Sequence, residues 1–128
     1  MTIRALRILL ALLLLPWASP GQADEVVLGM SAAFTGPSRS LGIEFYRGAM
    51  AYFSWANRTR GGIHGQQWSI LARDDGYSPD PAIHNTIDFI QQEDVLLLFG
   101  YVGTPTTTRV LPLLKNFAHK HPYLFFPF

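Results

Sequence analysis

Short apolar runs alternate with longer segments of helical period along this chain, and no other feature restricts its fold as much. The apolar runs cover residues 25–30, 67–73, 95–99 and 123–126. In the segments between them, at 40–59, 81–91 and 105–118, apolar residues recur at three- and four-residue spacing, as in helices that lie on a sheet. Strands that alternate with helices pair in parallel through right-handed crossovers. We therefore predict an α/β fold, a parallel sheet in the order β-α-β-α-β-α-β.

Capping residues set the predicted helix ends. We expect the second helix to begin with Asp80 as its N-cap, and the third with Thr104 as its N-cap and Pro105 at the first helical position. The helical spacing also predicts that Tyr52 of the first helix and Leu111 of the third face the sheet.

The stretch at residues 100–108 lies where a buried strand ends, the chain turns at two glycines and a helix begins. In a parallel sheet the carboxyl ends of the strands share one edge, and ligands of open α/β sheets bind there. The unpaired N–H groups and the positive dipole end of a helix suit a carboxylate or another anion. We expect Tyr101, Tyr77 and Phe34, on neighbouring loops of this edge, to form apolar walls around a small organic ligand.

The first 23 residues have the pattern of a cleaved signal peptide. Arg4 and Arg7 give a positive start, residues 8–15 are apolar but too short to span a membrane, and small residues end at Ala23. The mature chain is expected to begin at Asp24, and no later apolar run reaches the length of a membrane span. We predict an exported soluble protein, periplasmic or otherwise extracytoplasmic.

Composition argues against several functions. The formal charge is +1 and becomes −1 without Arg4 and Arg7, and no basic patch indicates nucleic acid. The chain has no cysteine, and its histidines lack metal-ligand spacing. No nucleophile elbow, phosphate loop or dinucleotide fingerprint occurs. We predict no cofactor, no metal and no catalytic residues.

Asp74 and Asp75 follow the second strand, where an acid–base pair could lie. Adjacent residues of a strand point to opposite faces, so the two carboxylates do not readily share one site. We expect one to cap a turn and the other to be solvated. A secreted α/β enzyme that uses both carboxylates remains an alternative.

Several segments together resemble the N-terminal part of the extracytoplasmic substrate-binding proteins of ABC importers. The similarity is to the branched-chain amino acid (Leu/Ile/Val) binding family, which has the type I periplasmic binding protein fold. The segments that carry it are 31–37 with 41–42, then 61–65, 74–77 and 100–106. The resemblance implies two α/β lobes that close over a small ligand, with the ligand's α-carboxylate held by the hydroxyl and N–H of the residue at the position of Thr104. Some relatives carry a disulfide between the loops near Tyr77 and Gly103, which this chain cannot form, and Pro105 replaces a Ser or Thr and removes one donor.

The prediction is therefore a non-catalytic solute receptor that binds an amino acid or a similar small carboxylate and delivers it to an ABC permease in the inner membrane. Residues 24–128 would form an incomplete N-terminal lobe, because the fourth strand is followed by no covering helix. The predicted ligand-binding residues are Thr104, Thr106, Gly103, Tyr101, Ser31, Phe34 and Tyr77. The alternatives are a ligand-sensing domain of a signalling receptor, a complete small domain, and a truncated fragment without function.

Overall fold

A computed structural model describes residues 25–91 and 94–128, so the predicted signal peptide at residues 1–23 and the predicted mature start at Asp24 lie outside the described residues. The elements are β1 (Glu25–Ala32), α1 (Arg39–Arg60), β2 (Gln67–Asp74), α2 (Pro79–Gln91), β3 (Leu97–Phe99), α3 (Thr104–Asn116), a short 3-10 helix (Ala118–Lys120) and β4 (Leu124–Phe125). The predicted β-α-β-α-β-α-β order is confirmed.

The four strands form one parallel sheet in the order β2-β1-β3-β4. Leu28 in the central strand β1 is in register with Ile70 of β2 and Leu97 of β3. Because every pairing is parallel, the carboxyl ends of all four strands lie on one edge, as the sequence predicted.

The two faces of the sheet carry separate apolar cores. On one face, Leu28 and Met30 of β1 pack with Phe53 of α1. On the other face, Phe89 of α2 and Val110 of α3 belong to one cluster. The helices therefore cover the sheet on both sides, which is the arrangement that parallel sheets require.

Two helix starts differ from their predictions. Gly103, not Thr104, is the N-cap of α3, so Pro105 is the second helical residue rather than the first. The turn into α3 needs a glycine at position 103, because its φ of 116° is one that residues with a Cβ rarely adopt. Helix α2 begins at Pro79, because its helical hydrogen bonding starts with Ala82 N–H donating to the Ser78 carbonyl at 3.4 Å. Asp80 therefore lies in the first turn of α2 and is not its N-cap.

Two apolar side chains that were expected to face the sheet point to solvent instead. Leu111 of α3 is 48% exposed and Tyr52 of α1 is 53% exposed. In α3 the buried positions are Thr106 and Val110, four residues apart, and a residue one step along the helix faces about 100° away from that line. Among the described residues, no helix combines the length and apolarity that crossing a membrane requires.

Candidate functional site

The loops after β1, β2 and β3 meet at the carboxyl edge of the sheet. Asp75 N–H donates to the Ala32 carbonyl at 3.0 Å, which joins the second loop to the end of β1. The Tyr77 ring lies against Gly103, which joins the second loop to the start of α3. Gly103 N–H donates to the Phe128 carbonyl at 2.7 Å, so the residues after β4 also reach this edge.

The first turn of α3 offers backbone donors to the edge. The helical hydrogen bonding begins with Thr107 N–H, which donates to the Gly103 carbonyl at 2.9 Å. The N–H groups of Thr104 and Thr106 precede this bond, so neither has an acceptor within the helix, and Pro105 has no N–H. Thr104 is exposed.

The Thr106 side chain does not face the site. Thr106 is completely buried, and its hydroxyl lies within donor distance of two carbonyls, Val102 at 3.0 Å and Gly103 at 2.8 Å. The Thr106 hydroxyl is therefore not free for a ligand, and its backbone N–H belongs to a completely buried residue.

An open cavity of about 230 Å³ lies beside the start of α3. Its lining residues are Thr104, Thr107, Thr108, Pro127 and Phe128. The Thr107 hydroxyl is buried and has no hydrogen-bond partner among the described residues. Since buried polar groups are normally paired, this hydroxyl suits a bound ligand or water. Sequence reasoning missed Thr107, although the run of three threonines at 106–108 was a signal.

Asp74 ties the loop after β1 to the loop after β2. Its Oδ1 accepts the N–H groups of Phe34 at 2.7 Å, Thr35 at 3.1 Å and Gly76 at 3.0 Å, and its Oδ2 accepts the Thr35 hydroxyl at 2.6 Å. Burial raises the pKa of Asp74, but the hydrogen bonds from Thr35, Phe34 and Gly76 together outweigh it and leave the pKa below its ordinary value. As expected for one of the two aspartates, Asp74 serves a turn.

Asp75 is buried, which corrects the expectation that the second aspartate is solvated. Its hydrogen-bond partner Ser31 is buried as well. Asp75 is 2% exposed, and its two carboxylate oxygens accept the Ser31 hydroxyl at 2.8 Å and Tyr77 N–H at 2.9 Å. Burial raises the pKa of Asp75. Strand β1 runs to Ala32, so Ser31 is a completely buried strand residue, not a loop residue lining the cleft. The carboxylates of Asp74 and Asp75 thus bind different donors.

Tyr101 belongs to the core rather than to the walls of the site, which corrects its predicted role. The residue is completely buried, and its hydroxyl lies 2.9 Å from Thr86 Oγ1. The Thr86 hydroxyl donates to the Ala82 carbonyl at 2.7 Å, so Tyr101 acts as the donor to Thr86. Burial raises the pKa of Tyr101 far above its ordinary value.

Phe34 and Tyr77 remain at the edge, where the sequence placed them. Phe34 is half-buried and packs edge-on against Tyr46, with 5.9 Å between ring centroids. Tyr77 is half-buried and has a φ of 66°. The structure therefore brings Gly103, Thr104 and Tyr77 together.

Within the described residues, no group of three His, Asp or Glu side chains could hold a metal ion.

The family model of the periplasmic binding proteins matches residues 25–127, and the chain belongs to this family. Among solved structures, the chain is similar to a possible leucine/isoleucine/valine-binding protein from Rhodopirellula baltica, with 30% identity, a TM-score of 0.74, and 84% of this chain and 28% of that one covered. It is also similar in fold to a solute-binding protein of an ABC transporter from R. palustris in complex with 4-hydroxybenzoate, with 22% identity, a TM-score of 0.62, and 79% of this chain and 26% of that one covered. A third structure is the branched-chain amino acid transporter substrate-binding protein LivJ from Streptococcus pneumoniae in complex with isoleucine, with 20% identity, a TM-score of 0.68, and 79% of this chain and 28% of that one covered.

No curated protein sequence matches the chain. The family match and the structural neighbours confirm the resemblance and the fold that the sequence predicted. The chain spans 26% to 28% of the length of these three structures.

Proposed function

We propose that this chain supplies part of the ligand-binding lobe of an extracytoplasmic solute receptor that serves an ABC importer. Its ligand is a small carboxylate, such as an amino acid, and the first turn of α3 binds the carboxylate group. The protein is a binding protein and not an enzyme.

The observation that carries this proposal is the set of unsatisfied polar groups at one end of α3. The N–H groups of Thr104 and Thr106 have no acceptor within the helix, and the buried Thr107 hydroxyl has no partner among the described residues. A carboxylate has two oxygens that can each accept a hydrogen bond, and the positive end of the helix dipole favours its charge. Of these residues, Thr104 and Thr107 line a cavity of about 230 Å³.

The ligands of two structural neighbours support a carboxylate. One neighbour is in complex with isoleucine and another with 4-hydroxybenzoate, and both molecules carry a carboxylate on an apolar body. In this chain, Phe34 and Tyr77 at the same edge would contact the apolar body.

Closure of a second lobe over the ligand would form the surface that a permease in the inner membrane recognises. Ligand contacts that exist only in the closed form shift the population toward it. Residues 1–23 would direct export and be removed after Ala23.

Isothermal titration with matched ligands tests the proposal. We would compare L-isoleucine with L-isoleucinamide, and 4-hydroxybenzoate with 4-hydroxybenzamide, because each amide keeps the shape of the acid and loses its charge. At least one acid should bind about tenfold or more tightly than its amide, since hydrogen bonds to charged groups are the stronger ones. Equal binding of acid and amide, or no binding of either acid, would contradict the proposal.

A Thr104→Val variant adds a test of the place of binding. It should weaken binding of the acid, because the exposed hydroxyl is lost while the shape is kept. Thr59→Val is the matched control, since Thr59 is an exposed helical threonine of α1 whose hydroxyl donates to the Trp55 carbonyl at 2.8 Å. This control should bind the acid as the unmodified chain does.

A further inference from the structure

Asp74 is an exposed residue whose carboxylate nevertheless accepts four hydrogen bonds from the edge loops. Three N–H groups and one hydroxyl donate to it, at 2.6 to 3.1 Å. The donors come from Phe34 and Thr35 after β1 and from Gly76 after β2, so a single side chain connects two of the edge loops. Phe34 N–H donates to Asp74 at 2.7 Å, and the Phe34 side chain is one of the two proposed apolar walls of the site.

The hydrogen bond that Gly76 N–H donates to Asp74 also supports Tyr77, the other proposed apolar wall. Tyr77 follows Gly76 directly and has a φ of 66°, in the left-handed region that aromatic residues rarely adopt. Tyr77 N–H donates to the buried Asp75 carboxylate at 2.9 Å, which supports this conformation from the interior. Asp74 supports the preceding residue from the solvent side, so the turn at Gly76 and Tyr77 is held by both aspartates.

The held turn places the Tyr77 ring against the N-cap of α3. A Cβ on Gly103 would lie 2.7 Å from Cε2 of Tyr77, so the ring contacts this residue directly. Asp74 is therefore linked to the start of α3 in two steps: Gly76 N–H donates to its carboxylate, and the ring of the next residue, Tyr77, contacts Gly103.

We propose that Asp74 is a positioning residue of the ligand site, which fixes Phe34 and Tyr77 relative to the N-terminus of α3 by hydrogen-bonding both edge loops. The inference rests on the proposed function for the identity of the ligand, but the coupling of the loops is a property of the chain itself. Asp74 holds the walls of the site in place and does not contact the ligand.

Amide hydrogen exchange measured by NMR in the whole chain tests this role. In Asp74→Ala, the amides of Phe34, Thr35 and Gly76 should exchange about tenfold faster, because each loses a bond to a charged acceptor. Amides of β1 residues such as Met30 should be unchanged, which separates local loosening from global unfolding. Asp74→Asn should restore most of the protection, because its Oδ1 can still accept the three N–H groups.

Asp80→Ala is the matched control, since Asp80 is also an exposed aspartate and lies in the first turn of α2, six residues further along the chain. It should leave the exchange of the three edge amides unchanged. The affinity for L-isoleucine and for 4-hydroxybenzoate is then measured for the same variants. The acid that binds should bind about tenfold more weakly to Asp74→Ala, with recovery in Asp74→Asn.

Two results would overturn the inference. One is unchanged exchange of the edge amides in Asp74→Ala. The other is weaker ligand binding in Asp74→Ala without faster exchange, which would make Asp74 a direct ligand contact. If neither acid binds the unmodified chain, the proposed function fails, and the exchange comparison alone decides whether Asp74 couples the loops.

Discussion

A methyl group added at Gly103 should destabilise the chain and displace Tyr77. In Gly103→Ala the new Cβ would lie 2.7 Å from Cε2 of Tyr77 and 3.1 Å from the Thr106 hydroxyl oxygen. The residue must also keep a φ of 116°, which an alanine rarely adopts.

The two effects set the magnitude. Holding a residue with a Cβ in a sparsely populated backbone conformation costs about 1–3 kcal/mol. Overpacking a filled site costs about 1–3 kcal/mol more, and the lower half of that range applies because the half-buried Tyr77 ring can move toward solvent. We expect Gly103→Ala to lower the free energy of unfolding by about 2–5 kcal/mol.

Urea unfolding followed by circular dichroism measures this loss. Gly48→Ala is the control, because its Cβ would meet no atom within 4 Å and alanine is the better helix former in α1. Combining Gly103→Ala with Tyr77→Ala should recover the part of the overpacking cost that comes from the Tyr77 ring, but not the backbone part. A Gly103→Ala chain within about 0.5 kcal/mol of the unmodified one, the usual limit for a neutral surface substitution, would refute the reasoning.

The remaining predictions concern stability and pH. Gly42→Ala should destabilise the chain by about 1–3 kcal/mol in urea unfolding, because its Cβ would overlap the Ala33 carbonyl. Gly48→Ala in the same helix should stabilise the chain by up to about 1 kcal/mol, and equal effects of the two substitutions would contradict this reasoning. Tyr101→Phe should cost about 0.5–1.5 kcal/mol by the same measurement, because the bond to Thr86 is lost, and no loss would contradict the buried hydrogen bond. The lowered pKa of Asp74 gives stability that is complete above the ordinary pKa of aspartate, about 3.9, and is lost as the pH falls through the lower folded value. The stability advantage of the unmodified chain over Asp74→Asn should therefore shrink as the pH falls from about 4 through the lowered folded pKa, and a constant difference would argue against it.

The order of strands and helices could be predicted from the sequence because its signals are local. Apolar runs and three- and four-residue spacing depend only on neighbours in the chain. The helix starts were less accurate, because Gly103 replaces Thr104 as the N-cap of α3 through a backbone conformation that the sequence does not specify.

The edge at which the loops meet was also predictable, since parallel strands bring their carboxyl ends to one edge whatever the side chains are. The burial of Ser31 was not, because it depends on β1 extending to Ala32 in register with Asp74. Tyr101 was misplaced for a similar reason. Its hydroxyl is buried against Thr86 of α2, a contact that forms only when the helix packs on the sheet.

Thr107 shows how much depends on helical phase. The three threonines at 106–108 are equivalent in the sequence, but one turn of α3 directs them differently. Thr106 is buried with its hydroxyl on backbone carbonyls, the Thr107 hydroxyl is buried beside the cavity, and the Thr108 hydroxyl donates to the Thr104 carbonyl at 2.7 Å. The phase is fixed only once the first residue of α3 is known.

Amide chemical shifts during a titration with L-isoleucine, and separately with 4-hydroxybenzoate, test most directly whether the first turn of α3 binds a carboxylate. We expect the largest shifts at the amides of Thr104 and Thr106, and little change at Gln67, which begins β2 at the opposite edge of the sheet. Largest shifts elsewhere, or no shifts with either acid, would contradict a carboxylate site at this helix end.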